Sequence, residues 1–288
     1  MGRFMGAIRE KMDLCSAAAL SAAGACANTD PIDTPSGSQR LDCVERSTMT
    51  DQVSFSFVVP CFNEEDNVVP TVESVRQAMA MANQDAYEVM LVDDCSTDRT
   101  LEHMQALAQT DPRIRVLHNP VNLGFGGSYK RGMHAAKADY VMMLPGDDGF
   151  PPDSIAEIIR HAGEADIIIP IVTNSAVRTW SRTIISKSFT ALLNWMFWLD
   201  VGYYNGAVLQ RTALVQSIEI KTDSFAYQAE ALVKLISKGA TYTHCHVRIK
   251  EHEAGRSSAT SLKNQMAVLK TIFQLLMTVG IFRRFRIG

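Results

Sequence analysis

Three runs of apolar residues in this chain lead straight into carboxylates, and that repeated junction narrows the possible folds more than any other feature. Phe55-Ser56-Phe57-Val58-Val59 leads into Pro60-Cys61-Phe62-Asn63-Glu64-Glu65. Val89-Met90-Leu91-Val92 leads into Asp93-Asp94-Cys95-Ser96-Thr97-Asp98, and Tyr140-Val141-Met142-Met143-Leu144 into Pro145-Gly146-Asp147-Asp148. Strands buried on both faces of a parallel sheet give near-continuous apolar runs of this kind. An open α/β sheet takes its ligands beyond the carboxyl ends of its strands. Three acidic strand ends on one edge therefore predict a site suited to a bound cation and to sugar hydroxyls.

From residue 53 onward the pattern alternates between strand and helix. Val68, Val72, Val75 and Met79 share one face of a predicted helix within 65–82. Asp98 is placed to cap a helix through about residue 109, while Asp94 and Ser96 suit the turn before it. Ile114–Leu117 reads as a strand, 125–137 as a helix, Asp153 or Ser154 to His161 as a helix, and Ile167–Ile171 as a strand. Beyond these come an aromatic-rich helix over 178–199, a short strand over 205–210, a helix over 224–238 and an alternating strand over 240–248. Such a rhythm predicts a Rossmann-like, mostly parallel sheet flanked by helices.

Composition agrees with one sizeable folded domain: 288 residues, 47% hydrophobic and 20% charged, are enough for a full core. A net charge of −3 gives no reason to expect nucleic acid as a partner. The six cysteines show no metal-type or framework spacing, and Cys61 and Cys95 at strand ends suit reduced thiols in a cytoplasmic setting. Residues 1–52 read as a disordered leader and linker, with Met49 an alternative initiator; 53–260 read as the α/β domain. Residues 261–288 carry no carboxylate but include Lys263, Lys270, Arg283, Arg284 and Arg286 around an apolar run too short to span a bilayer. They read as a basic amphipathic helix on an anionic membrane surface.

The motifs in order, Val59 to Glu65, Val92 to Asp98, and Asn122-Leu123-Gly124-Phe125-Gly126, resemble the successive signatures of family-2 glycosyltransferases with the GT-A fold. The resemblance extends over residues 54–260 and is greatest to the dolichyl-phosphate mannosyltransferase and polyprenyl-phosphate glycosyltransferase group. It implies that Pro60, Phe62, Glu64, Leu91 and Asp93 contact the nucleotide of a nucleotide sugar. It implies also that Gly146 and Asp147 form the diphosphate corner, where Asp147 and Asp148 hold Mg²⁺ or Mn²⁺. The chain departs from the family pattern by placing Pro145 where the first aspartate of an Asp-x-Asp is usual.

Ser181-Arg182-Thr183-Ile184-Ile185-Ser186 resembles the segment that binds an acceptor phosphate, which assigns Arg178, Arg182 and Ser186 to that role. Gly255-Arg256-Ser257-Ser258 resembles a closing loop whose Arg256 reaches phosphate. Asp147, Asp148 and Arg182 are the implied catalytic residues. The activity implied is inverting transfer of a hexosyl group to a polyprenyl phosphate, by an enzyme peripheral at the inner face of the membrane. A saccharide hydroxyl acceptor, with Asp148 as base, is the alternative, and a catalytically silent nucleotide-sugar binder another. Three features leave both readings open: the glycine-rich 122–128 stretch (helix packing or phosphate contact), Glu230 (structural or catalytic) and His244-Cys245-His246. On a strand that last triplet points to opposite faces, which disfavours a zinc site.

Overall fold

The computed structural model describes residues 53–174, 180–250 and 270–280. The readings of residues 1–52, Arg178, Arg256 and, apart from 270–280, the basic helix of 261–288 lie outside them. Seven strands form one sheet: β1 (Phe55–Cys61), β2 (Tyr87–Asp93), β3 (Ile114–His118), β4 (Tyr140–Met143), β5 (Ile167–Val172), β6 (Leu209–Arg211) and β7 (Tyr242–Val247), in the spatial order β3-β2-β1-β4-β6-β5-β7. All neighbours pair in parallel except β6, which runs antiparallel to both β4 and β5. The helices are α1 (Val68–Met81), α2 (Thr100–Thr110), α3 (Gly124–Ala135), α4 (Pro152–Arg160), α5 (Trp180–Phe197), α6 (Thr212–Gln216) and α7 (Tyr227–Ser237). A last helical stretch from residue 270 ends in a π-turn at Leu276–Gly280.

Every residue of β1 is buried, and the two-residue period of a strand divides its side chains between two layers. Phe55, Phe57, Val59 and Cys61 join Val68, Val72, Val75 and Met79 of α1 and Ile155, Ile158 and Ile159 of α4. Val58 faces the other way and joins Met90, Val92, Tyr129 and Met133 with Leu193, Phe197 and Leu232 of α5 and α7. The result is a helix–sheet–helix sandwich with β1 at its centre, which is why the run 55–59 is apolar but for Ser56, itself buried.

Two differences from the sequence reading have local causes. The strand expected over 205–210 shortens to Leu209–Arg211, and the five-residue α6 follows it at once. The first helix begins at Val68 because the Glu64 carbonyl accepts the N–H groups of Asn67 and Val68 at 3.0 Å and makes a turn of the preceding residues.

Buried Asp111, just past α2, accepts hydrogen bonds from Arg113 Nε (2.9 Å), Arg113 Nη2 (2.8 Å) and Arg76 Nη2 (3.0 Å). The Arg113 hydrogen bonds hold its carboxyl far below the usual carboxylate range, against the opposing effect of burial. A carboxyl depressed in the folded state contributes stability that is complete above its unfolded value near about pH 4 and is lost as pH falls toward its folded value. Asp111→Asn should therefore lower the melting temperature by several degrees at pH 7, and the difference from the parent should shrink steadily below pH 4. Melts followed by circular dichroism across that range check this.

Candidate active site

Because β1, β2 and β4 run parallel in adjacent positions, with Cys61 in register with Asp93, their acidic ends reach one edge together. Each of the three turns that follow holds one non-glycine residue in the left-handed region: Asn63 (φ 58°), Cys95 (φ 63°) and Asp148 (φ 54°). Backbone of this kind persists only where its surroundings over-determine it, and it gathers at functional sites.

The first two turns are knitted together. The Asn63 N–H donates to Ser96 Oγ (3.1 Å) and the Thr97 N–H to Asn63 Oδ1 (2.8 Å). The Glu64 N–H donates to Thr100 Oγ1 (2.8 Å) and the Glu65 N–H to Asp98 Oδ2 (3.2 Å). Asp98 also accepts the Thr100 N–H at 3.0 Å, so it closes the turn just before α2, whose N-cap residue is Arg99 instead of the expected Asp98. Burial opposes its ionisation, but the hydrogen bonds from Thr100 and Glu65 outweigh burial and lower its pKa.

Asp94 has a similar architectural part. Its Oδ1 accepts from Leu123 N–H (2.8 Å) and Asn119 Nδ2 (2.9 Å), and its Oδ2 from Gly124 N–H (2.9 Å). That carboxylate already occupies the start of α3, where a phosphate would otherwise be drawn to the helix N-terminus. The glycines serve packing instead: a Cβ on Gly126 would lie 2.7 Å from the Ser224 carbonyl oxygen. Asp223 in the facing loop pairs with Lys130 at 2.6 Å. Glu230 is structural as well, holding the 221–222 backbone through N–H donors at 3.0 Å and pairing with Lys234.

Asp93 departs from expectation. It is fully buried, and its Oδ2 lies 2.8 Å from His118 Nδ1 while its Oδ1 accepts the Ser96 N–H at 3.3 Å. The carboxylate reaches no solvent and is paired with the half-exposed His118 ring. Leu91 is also fully buried in the core and Pro60 is buried. Phe62 stands exposed and Glu64 half-buried above them, with Glu64 Oε2 accepting from Asn67 Nδ2 at 2.8 Å.

At the third turn, the Gly146 N–H donates to the Pro60 carbonyl at 3.2 Å. A Cβ at position 146 would fall 2.3 Å from Cys61 Sγ, so only glycine lets this turn lie against β1. Burial pushes the Cys61 thiol well above its ordinary range, and the charges of Glu64, Asp93, Asp147 and Asp98 push it further. The end of β1 is thus ringed by carboxylates from all three turns. Asp147 is exposed, and its Oδ1 accepts the Gly149 N–H at 3.1 Å. Asp148, expected beside it as cation ligand and base, has both oxygens engaged: Oδ2 with Lys250 Nζ at 2.5 Å and Oδ1 with Ser74 Oγ at 2.8 Å.

Among the described residues no three His, Cys, Asp or Glu side chains form a metal-binding group. A hard divalent cation can be held by one or two carboxylates together with substrate phosphates and waters. Exposed Asp147 meets that requirement only when a diphosphate shares the ion. Ser186 lies half-buried on α5, one turn after Arg182, whose side chain is outside the described residues. His244 accepts the Gly202 N–H at Nε2 (3.0 Å) while Cys245 is buried, so the strand alternation separates that triplet as expected. His118, Ser74 and Lys250 were not singled out from sequence. For His118 the available signal was its position at the end of the strand beside β2, on the same edge as the carboxylates.

Residues 56–217 match the family described as Glycosyl transferase family 2. The succinoglycan biosynthesis protein ExoO of Rhizobium meliloti is 34% identical over 130 residues, 45% of this chain and 35% of that one. The dolichol-phosphate mannosyltransferase of Pyrococcus furiosus is 29% identical over 137 residues, 46% of this chain and 38% of that one. The chain thus spans little more than a third of the length of these two curated relatives. Glucosyl-3-phosphoglycerate synthase from Mycobacterium tuberculosis, solved with Mn²⁺ and uridine-diphosphate-glucose, superposes with a TM-score of 0.59 at 16% identity, over 80% of each chain. That likeness concerns the fold, which is the GT-A fold.

Replacing Gly146 with Ala should place the new methyl against Cys61 Sγ and cost about 1–3 kcal/mol, the usual penalty for overpacking. Removing the thiol in the double variant Gly146→Ala/Cys61→Ala should recover part of that loss. Denaturant titrations of the two variants and the parent measure both effects.

Proposed function

The chain belongs to glycosyl transferase family 2, and from that premise we propose that it is an inverting enzyme moving a hexosyl group from a UDP- or GDP-sugar to a polyprenyl phosphate. The carrying observation is the edge where Phe62, Glu64, His118 over Asp93, Gly146 and Asp147 come together. The nucleotide lies across the ends of β1 and β2, with its diphosphate at the Gly146–Asp147 turn. Bound between Asp147 and the diphosphate, Mg²⁺ or Mn²⁺ would neutralise charge on the departing phosphate. The Mn²⁺ held by the mycobacterial synthase with its nucleotide sugar supports that choice of cation. Gly146 lets the turn close on β1 and so fixes Asp147, while Phe62 offers an apolar face and Glu64 an acceptor for ribose hydroxyls.

Engagement of Asp148 by Lys250 and Ser74 favours a phosphate acceptor over a hydroxyl. A hydroxyl nucleophile needs a base to take its proton, whereas a phosphate oxygen is already anionic. The enzyme then acts chiefly by holding donor and acceptor in line, with Arg182 and Ser186 on α5 as the acceptor phosphate's partners and Arg178 and Arg256 joining them.

The surface of α5 supports a lipid-borne acceptor. Ile184, Ser188, Ala191, Leu192 and Trp195 are exposed along one helical face, and exposed Trp198 extends it. Phe273 and Met277 of the last helical stretch are exposed too, while Leu275 packs in the same core as Leu193 and Phe197 of α5. Neither 175–199 nor 261–288 contains a carboxylate, yet together they hold eight lysines and arginines. Tryptophan favours the membrane–water interface, and anionic lipid attracts each nearby basic residue by about 1 kcal/mol. No helix among the described residues is long and apolar enough to cross a membrane, so the enzyme would sit peripherally, on the cytoplasmic face where nucleotide sugars are found. ExoO, named for succinoglycan biosynthesis, keeps a saccharide acceptor as the second reading.

The test is consumption of UDP- and GDP-hexoses with and without polyprenyl phosphate, in Mg²⁺, Mn²⁺ or EDTA. Lipid-dependent, EDTA-sensitive turnover is expected, falling by orders of magnitude in Asp147→Asn with circular dichroism unchanged. Lipid-independent glycosylation of a soluble sugar would transfer the assignment to the saccharide reading, and no turnover with retained nucleotide binding would make the protein a silent binder. Flotation with vesicles containing anionic lipid should recover the protein at low salt, less of it at 0.5 M salt, and less still after Trp195→Ala/Trp198→Ala.

A further inference from the structure

The arrangement of His118 carries an inference that goes past the identity of the reaction to the identity of the base, and it rests on the donor-binding reading above. His118 closes β3, the outermost strand on that side of the sheet. Its Nδ1 lies 2.8 Å from Asp93 Oδ2, and Asp93 is fully buried, whereas the His118 side chain is 49% exposed. The ring is therefore anchored by its inner nitrogen and presents Nε2 outward. A carboxylate can only accept, so the shared proton sits on Nδ1, and in the neutral tautomer this pairing selects, Nε2 is left as an acceptor. The backbone beneath is fixed as well: the His118 carbonyl accepts from Arg131 Nη1 at 2.6 Å, and the Asn119 N–H donates to the Asp93 carbonyl at 2.8 Å.

Position along the edge matches a base better than a phosphate. From the Asp147 turn, the strands β4, β1, β2 and β3 follow in order, and three interstrand spacings of about 4.8 Å separate the first from the last. An extended nucleoside diphosphate whose phosphates meet Asp147 crosses the ends of β1 and β2, passes exposed Phe62, and brings its base to the β2–β3 end.

We propose that His118, oriented by Asp93, is the residue that reads the nucleobase, accepting a hydrogen bond at Nε2 from a ring N–H such as N3–H of uracil or N1–H of guanine. Cytosine and adenine carry an acceptor at the corresponding ring nitrogen and would face Nε2 lone pair to lone pair. A site that hydrogen-bonds its ligand discriminates strongly against an analogue that leaves the site's polar group unpaired. Asp93 then acts at one remove, by fixing the tautomer.

Calorimetric titration of the full-length protein with UDP, GDP, CDP and ADP, each with Mn²⁺, tests this. The parent should bind UDP or GDP at least about tenfold more tightly than CDP and ADP, a factor set by one hydrogen bond. His118→Ala should lose most of that preference with its circular dichroism unchanged but its melting temperature lowered, since buried Asp93 loses its partner, and His118→Gln, which keeps an acceptor oxygen, should recover part of the preference. A parent that binds all four equally, or a His118→Ala protein that keeps the full preference, overturns the inference and leaves the donor reading intact. A parent that binds none of the four removes the donor reading itself and the inference with it.

Discussion

The close approach of the Gly146 turn to the end of β1 is the contact on which the site depends. With a 2.3 Å separation between a notional Cβ at 146 and Cys61 Sγ, nothing larger than hydrogen fits there. The Gly146 N–H to Pro60 carbonyl bond continues the pairing of β1 and β4 past the last strand residue, so the turn is an extension of the sheet. Asp147 is thereby carried by the most deeply buried part of the molecule. A carboxylate placed on an independent loop would have to be ordered again by its ligand, at an entropic cost of about 1–2 kcal/mol per residue.

Most of the acidity that marks this edge is architectural. Asp98 takes the Thr100 N–H and ties the first turn to the second; Asp94 takes the N–H groups at the start of α3; Asp148 is held by Lys250 and Ser74; Asp93 is paired with His118. Each arrangement satisfies backbone or side-chain donors that the turns would otherwise leave unpaired. At the strand ends Asp147 is exposed and Glu64 half-buried. The rest set the shape of the turns, including the three left-handed residues Asn63, Cys95 and Asp148, and through that shape they set the direction of the few groups that meet a ligand.

Lys250 joins two parts of the chain that are distant in sequence. Its N–H donates to the Gly149 carbonyl at 2.9 Å and its ammonium pairs with Asp148, so the segment leaving β7 is fastened to the turn that bears Asp147. The same ion pair engages the carboxylate that a hydroxyl acceptor would need as its base. A phosphate nucleophile has no need of that base, and the acceptor reading and the local geometry are thus consistent.

The sheet was legible in the sequence because burial on both faces leaves strands with no polar alternation, and the carboxyl-edge location of the site follows from parallel pairing alone. Helix faces such as Val68, Val72, Val75 and Met79 were legible for the same reason: periodicity is a local property, and the core cluster contains all four. The bond from the Thr100 N–H to Asp98 at the start of α2 lay within a few residues and could be read too. Partners remote in sequence could not. Asp93 and Asp94 are adjacent aspartates with nothing local to tell them apart, yet one is covered by an imidazole 25 residues away and the other binds backbone 29 and 30 residues away. Asp148 met Lys250 across 102 residues. Sequence by itself determined which edge gathers the carboxylates and which residue types stand there; tertiary structure decided which of those carboxylates are satisfied by internal donors, because that depends on donors brought in from other strands and helices.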